Sequence, residues 1–294
     1  MKCSYKPSYE VFLGYDIMFT WGKKKIIMLL TACMLLAALL ASGCMEQSKA
    51  GYRNNDGRQK LIVGSDIYPP FNFVDENGEP TGIDVELAKE AGRRMGYDVE
   101  FKNINWPDKD ELLERGELDC LWGSFSMSGR KELYNWAGPY LVSRQAVAVN
   151  KNSSIHRLAD LEGKFIAVQT TTKPEEIFTQ HKQSNIPHVK KLYSLSNCDL
   201  IYAMLGKGYV DAIAMHKSAI EQYNKDVGTN YRILEEPILI TGLGVAFARN
   251  DQRGIAERLD KTLQEMHADG TTKKIVAKYM DNPDEYLEVE RSGE

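Results

Sequence analysis

The sequence predicts an α/β protein built on a mostly parallel sheet. Two observations carry this. Short apolar runs of strand length alternate with stretches whose apolar residues recur at helical spacing. Gly, Pro and Asn/Asp clusters punctuate the two kinds of segment. The composition agrees with a folded chain: 294 residues, 43% hydrophobic and 27% charged, net charge −4. That apolar fraction excludes general disorder, and the acidic balance argues against a general nucleic-acid binder, which needs a basic face.

The elements follow in order. Lys60–Gly64 reads as a strand and Asp75-Glu76-Asn77-Gly78 as a turn. Ile83, Leu87, Ala88, Ala91 and Met95 share one helical face, closed by Gly96. Asp98–Lys102 alternates like a strand. Pro107 opens a helix to about Arg115, Leu118–Trp122 is a strand, and Ser128 is positioned to cap a further helix. The cycle repeats with strand Lys164–Gln169, helix Pro174–His181, strand Val189–Tyr193, helix Cys198–Leu205, strand Tyr209–Met215 and helix Lys217–Asn224. Gln145–Asn150 and Ile238–Arg249 are longer apolar runs. Helices Gln252–His267 and Thr271–Tyr279 follow, split by Gly270, and the tail from Asn282 is acidic.

The start of the chain has a different chemistry. Residues 1–43 hold five Lys against two acids, which leaves −7 on residues 44–294. Lys23-Lys24-Lys25 precedes Ile26–Leu40, an apolar stretch interrupted by Thr31, and then Ala41-Ser42-Gly43-Cys44. Basic, apolar, then small is the order of a secretory signal peptide. The ending in Gly-Cys resembles a bacterial lipobox, with Cys44 as the acylated mature N-terminus. Two acyl chains on Cys44 suffice for stable anchoring. An uncleaved anchor over Ile26–Met45 is the alternative, and Met18 would give a more usual signal length than Met1. Residues 1–43 are thus expected to be a signal peptide, and 44–58 a flexible polar tether. Of the remaining cysteines, Cys120 and Cys198 are expected as free thiols, a disulfide between them being the less common alternative. The sequence lacks C-x-x-C and any Cys/His cluster, so neither a metal nor another cofactor is expected.

In open α/β sheets, ligands sit beyond the carboxyl ends of strands. After the first strand stand Asp66, Tyr68, Pro69, Pro70 and Phe71: an acid beside an aromatic on a stiff loop. After Leu118–Trp122 stand Gly123, Ser124, Ser126 and Arg130, offering backbone N–H groups, hydroxyls and a guanidinium fork suited to a carboxylate. After Lys164–Gln169 stand Thr170, Thr171 and Thr172 before Pro174, again suited to an anion. Trp106 can form a flat wall, and His216 ends a strand. For each alone a structural role is a fair reading. Together they describe a cation for a carboxylate, an acid for an ammonium and an aromatic wall, the complement of a free amino acid.

These segments resemble the bacterial extracellular solute-binding proteins of family 3. The likeness runs over residues 58–282 and is carried by Leu61-Ile62-Val63-Gly64-Ser65-Asp66 with Tyr68-Pro69-Pro70-Phe71, Gly82-Ile83-Asp84-Val85-Glu86-Leu87, Gly116-Glu117-Leu118-Asp119, Ser124-Phe125-Ser126 through Arg130, Val168-Gln169-Thr170-Thr171-Thr172 and Gly208-Tyr209-Val210-Asp211-Ala212. The resemblance implies a two-lobed, type II periplasmic-binding-protein-like fold with two hinge strands. Lobe 1 would be 59–147 plus 244–282, lobe 2 148–243, and 283–294 a loose acidic tail. It implies that Arg130 and Thr172 grip the ligand carboxylate, Ser124 and Ser126 its polar groups, and Asp66 its ammonium, with Tyr68 and Trp106 around the side chain. It also implies a monomer, extracytoplasmic and held to the cell membrane by lipid, that hands an amino acid-like ligand to an ABC permease driven by an ATPase. Two departures stand out. Ser126 to Arg130 is one residue shorter than the family pattern. His216 occupies a position where the second lobe often has an Asp for the α-amino group, so either Asp66 takes that role or the ligand is not a standard α-amino acid. An enzyme on the same fold, a dehydratase or lytic transglycosylase, would need a pocket carboxylate as general acid, for which Glu175 and Glu176 are the nearest candidates. A ligand-sensing receptor domain is the other alternative. The chain carries no kinase sequence and no second span, which weighs against it.

Overall fold

The computed structural model describes residues 58–288 apart from 182 and 184. The expected signal peptide, Cys44, and residues 44–57 of the tether lie outside the described residues. Among the described residues, nine of eleven strands make one sheet around which seven α-helices are arranged. Its order is β4(Tyr97–Asn103), β1(Gln59–Ser65), β5(Cys120–Leu121), β11(Leu239–Ala248), β6(Tyr134–Val149), β9(Ala212–His216), β7(Phe165–Gln169), β8(Lys191–Leu195), with β10(Arg232–Ile233) on β6. A separate hairpin, β2(Phe73–Val74) with β3(Pro80–Thr81), flanks the turn expected at Asp75–Gly78.

The register divides the sheet into two halves. In one, β1 runs parallel to β4 and β5. In the other, β7 runs parallel to β8 and β9. The long strands β6 and β11 join them. They pair antiparallel from Tyr134 to Gln145, after which β6 continues along β9 to Val149. Sixteen extended residues in β6 suit this task, because the strand leaves one half and enters the other without a turn. The crossover run therefore begins at Tyr134, eleven residues before the apolar stretch noticed in the sequence, since polar and aromatic residues open it.

The helices follow the apolar pattern. Helix α1(Ile83–Met95) buries Ile83, Val85, Leu87, Ala88 and Ala91, at about 1.5–3 kcal/mol for a fully buried Leu. It ends at Gly96 in the left-handed conformation. Its start needs Gly82: φ is +121°, and a Cβ there would lie 2.4 Å from the Phe71 carbonyl oxygen. Helix α2(Lys109–Glu114) follows a 3-10 turn at Trp106–Asp108, and α3(Lys173–Gln180) follows Thr172. Helix α4(Cys198–Gly206) is capped by the Asn197 side chain, which accepts from the Leu200 N–H. Helices α5(Lys217–Val227), α6(Ile255–Ala268) and α7(Thr271–Val276) complete the set.

Three expectations need correction. No helix follows Ser128, because residues 128–133 form successive turns that lead directly into β6. Tyr209, expected in a strand, is exposed in a turn, and β9 starts at Ala212. Pro283–Tyr286, expected to be loose, forms a 3-10 turn with Tyr286 buried and Glu285 accepting from Lys217 at 3.2 Å. Cys120 and Cys198 are free thiols.

Candidate functional site

Three strand ends converge. The loop after β1 is tied by the Tyr68 carbonyl, which accepts from the Phe71 and Asn72 N–H groups, and by Asn72 Nδ2 donating to the Asp66 carbonyl. The loop after β5 starts at Gly123, where a Cβ would sit 2.5 Å from Ser65 Oγ. Ser124 then takes φ +46°, a strained value for a residue with a side chain. The buried carboxylate of Asp84 holds it there, accepting from the Ser124 N–H at 2.6 Å and from the Tyr140 hydroxyl at 2.8 Å. Further along, Ser126 Oγ pairs with Thr241 Oγ1, and Arg130 O accepts from Trp136 Nε1. Across from these, Thr171 has φ +60°, and its N–H donates to Glu175, whose other oxygen accepts from Thr170 Oγ1.

All nine residues singled out in the sequence line one cavity: Asp66, Tyr68, Trp106, Gly123, Ser124, Ser126, Arg130, Thr172 and His216. Its volume is about 30 Å³, room for a water or two. Arg130 reaches it from the turns that lead into β6 and not from a helix. The guanidinium lies 5.1 Å over the Phe125 ring. Its Nη2 donates to the Thr171 carbonyl at 3.2 Å and its Nη1 to the Ser126 carbonyl at 3.4 Å, and the side chain is only 12% exposed. Burial lowers its pKa, while Glu176 at 3.9 Å acts in the opposite sense. A cation with long, partly satisfied bonds to neutral carbonyls is well suited to a carboxylate.

Asp66 is the one carboxylate among the residues lining this cavity. It accepts from Gln169 Nε2 at 2.6 Å, and burial raises its pKa to about 6. His216 carries no charge to replace it. Its ring is buried, Nδ1 pairs with Ser143 Oγ at 2.6 Å, Nε2 lies 2.9 Å from Gln145 Nε2, and desolvation lowers its pKa to about 3. Three polar partners that the sequence did not single out also belong to the site. Gln169 meets Asp66. Lys173, in the cavity wall, donates to Glu176 at 2.7 Å. Lys109 donates to Thr171 Oγ1 at 3.1 Å and lies 5.3 Å over the Trp106 ring. Both lysines sit in the first turn of a helix, where a cation opposes the macrodipole, and that was the signal available for them. Among the described residues no group of three His, Cys, Asp or Glu can hold a metal, and no helix is long and apolar enough to cross a membrane.

Residues 61–282, from within β1 to just past α7, match the family model of the bacterial extracellular solute-binding proteins, family 3, and the chain belongs to that family. Among its relatives is a putative amino-acid ABC transporter-binding protein, PatH, of Vibrio harveyi, 29% identical over 72% of this chain and 84% of the relative. Another is the L-cystine-binding protein TcyA of Bacillus subtilis (strain 168), 27% identical over 87% and 97%. A solved ancestral arginine-binding protein bound to arginine superposes with a TM-score of 0.68 at 31% identity, over 75% of this chain and 98% of that one. The fold is accordingly the two-lobed type II architecture, with β6 and β11 as its hinge strands, and the role of the chain is solute binding. These relatives are named as binding proteins, not enzymes.

The Asp66 carboxylate predicts a pH dependence. Its folded pKa is raised, so folding favours its protonated form, and its contribution to stability falls as pH rises from about 4 to about 6. A cationic group bound at Asp66 needs the ionised form. Affinity is therefore expected to be level above pH 6.5 and to weaken by up to about tenfold per unit below pH 6. Calorimetric titration between pH 4.5 and 8 measures this, and Asp66→Asn flattens the profile.

Proposed function

We propose that the protein is the extracytoplasmic binding component of an ABC importer, anchored through lipid on Cys44, which captures a small polar amino acid or related zwitterion and delivers it to a membrane permease fed by an ATPase. The observation that supports the reading best is a buried guanidinium and a single carboxylate on the walls of one cavity, with the Tyr68 and Trp106 rings beside them. Arg130, helped by Thr172, takes the carboxylate, and Asp66 takes the ammonium, since His216 is neutral. Ser124 and Ser126 serve the remaining polar atoms.

The lobes are 59–147 with 244–282, and 148–243. Polar bonds cross between them at the site: Asp66 with Gln169, Lys109 with Thr171 and Arg130 with Thr171. A ligand of amino-acid size enters about 30 Å³ only when these walls part, and contacts to both lobes then favour closure. An enzymatic reading has weak support. Glu175 is occupied by the Thr170–Thr171 turn and Glu176 by Lys173, and neither lines the cavity.

A thermal-shift screen with amino acids, amines and small peptides tests the proposal. Amino acids with free carboxyl and amino groups are expected to raise the melting temperature, by an amount equivalent to about 2.7 kcal/mol at a hundredfold excess over Kd. No ammonia or pyruvate is expected to be released. Stabilisation by amines alone, or turnover of an amino acid, contradicts it.

A further inference from the structure

The chain beyond α7 crosses one face of the hinge. Asp284 holds it to lobe 1, accepting from Lys273 of α7 at 2.7 Å. One residue on, Glu285 accepts from Lys217 Nζ of α5, in lobe 2, at 3.2 Å, and lies 3.5 Å from Arg144 Nε of hinge strand β6. Tyr286 is 7% exposed, and its hydroxyl donates to Glu221 Oε2 of α5 at 3.4 Å. The space left among Val142, Arg144, Lys217, Glu285 and Tyr286 is about 10 Å³, room for a water at most. Half-exposed ion pairs contribute little by themselves, so the buried ring carries most of the adhesion.

Its grip falls one residue away from the ligand cavity. Gln145 of β6 and His216 of β9 are register partners, and both line the cavity. Their neighbours Arg144 and Lys217 both meet Glu285. Successive residues of a strand face opposite sides, so the cavity lies on one side of the hinge and this segment on the other. Parting the lobes in front turns α5 against α7 behind, and a segment fastened to both cannot follow the two. We infer that Pro283–Tyr286 is a strap that holds the hinge at this closed angle before a solute arrives, with Glu285 and Tyr286 as positioning residues for solute binding. A strap that pre-forms the closed state raises affinity for every solute that closes the lobes, because the binding-competent fraction is larger. This rests on the hinge-closing reading above and adds what sets the resting angle.

Three variants test it. Glu285→Lys sets a cation against Lys217 and Arg144 at a half-buried position, Tyr286→Ala removes the ring, and Tyr286→Phe keeps it. Small-angle X-ray scattering of ligand-free protein is expected to give the first two a larger radius of gyration than the native chain, with Tyr286→Phe unchanged and cooperative melts retained. Glu285→Lys alone decides if Tyr286→Ala loses its cooperative melt. Calorimetry with each of the twenty standard amino acids that the native protein binds is expected to show all of them weakened by one factor, about tenfold, since neither position lines the cavity. A radius unchanged in the release variants overturns the strap, as does a loss confined to some of the amino acids, and either result leaves the amino-acid reading standing. A native protein that binds none of the twenty fails the amino-acid reading alone, and the scattering comparison then decides the strap by itself.

Discussion

Arg130→Ala is expected to weaken amino-acid binding by at least about 30-fold without unfolding the protein. Removing one partner of a buried, hydrogen-bonded charge pair costs about 2–5 kcal/mol, and each 1.4 kcal/mol is tenfold. The fold should tolerate the change, because the side chain makes two long bonds to carbonyls, a ring contact and a long ion pair to Glu176, which keeps Lys173 as a partner. Arg130→Lys keeps the charge but loses the planar fork, and an intermediate loss is expected. Calorimetry at pH 7.5 reads both, with a melting curve as the folding control. Unaltered affinity in Arg130→Ala would remove Arg130 from the site.

Asp84→Ala is expected to have the largest effect on stability. Asp84 is fully buried, and its two oxygens satisfy the Ser124 N–H and the Tyr140 hydroxyl. Two buried donors left unpaired cost about 1–3 kcal/mol each, and at about 2–4 °C per kcal/mol the melting temperature should fall by roughly 4–24 °C. Asp84→Asn should retain most of the stability, since its amide oxygen can accept from Ser124 and its amide nitrogen can donate to the Tyr140 oxygen. The pH response separates the two forms. Desolvation raises the Asp84 pKa to about 7, so the folded state holds this proton more firmly than the unfolded chain does. The stability supplied by that proton is present below pH 4 and is lost as pH rises toward 7. In Asp84→Asn this part of the slope should vanish. Because Ser124 is held at positive φ by this carboxylate, Asp84→Ala should also weaken ligand binding. Asp84 acts here as a positioning residue.

The alternation of strands and helices was legible because each α/β unit is local, with its apolar period, its stop residue and its loop contiguous in sequence. The rule that ligands sit beyond strand ends then brought Asp66, Tyr68, Arg130 and Thr172 to one cavity without knowledge of how the halves meet. What stayed hidden is what depends on that meeting. Lys109 and Lys173 look like solvated helix residues, yet both are buried, Lys109 against the Trp106 and Phe125 rings and the Thr171 hydroxyl, and Lys173 beside Gly129 and Glu176. Gln169 reads as the last residue of a strand, and its bond to Asp66 spans 103 positions. The helix expected after Ser128 failed for the converse reason: the chain there must enter β6 at once, and tertiary pairing overrode a local cap signal. The short strands β2, β3 and β10, two residues each, have no periodicity to read.

The central claim is that position 130 clamps the carboxylate of a zwitterion, and a double-mutant cycle in which the ligand supplies one change tests it most directly. The tightest-binding amino acid and its carboxamide are titrated against the native protein and against Arg130→Ala. The account predicts that the native protein binds the amide at least about 30-fold more weakly, and that Arg130→Ala shows almost no difference between the two ligands. An amide that binds the native protein as tightly as the acid, or a discrimination that persists without the guanidinium, would contradict it.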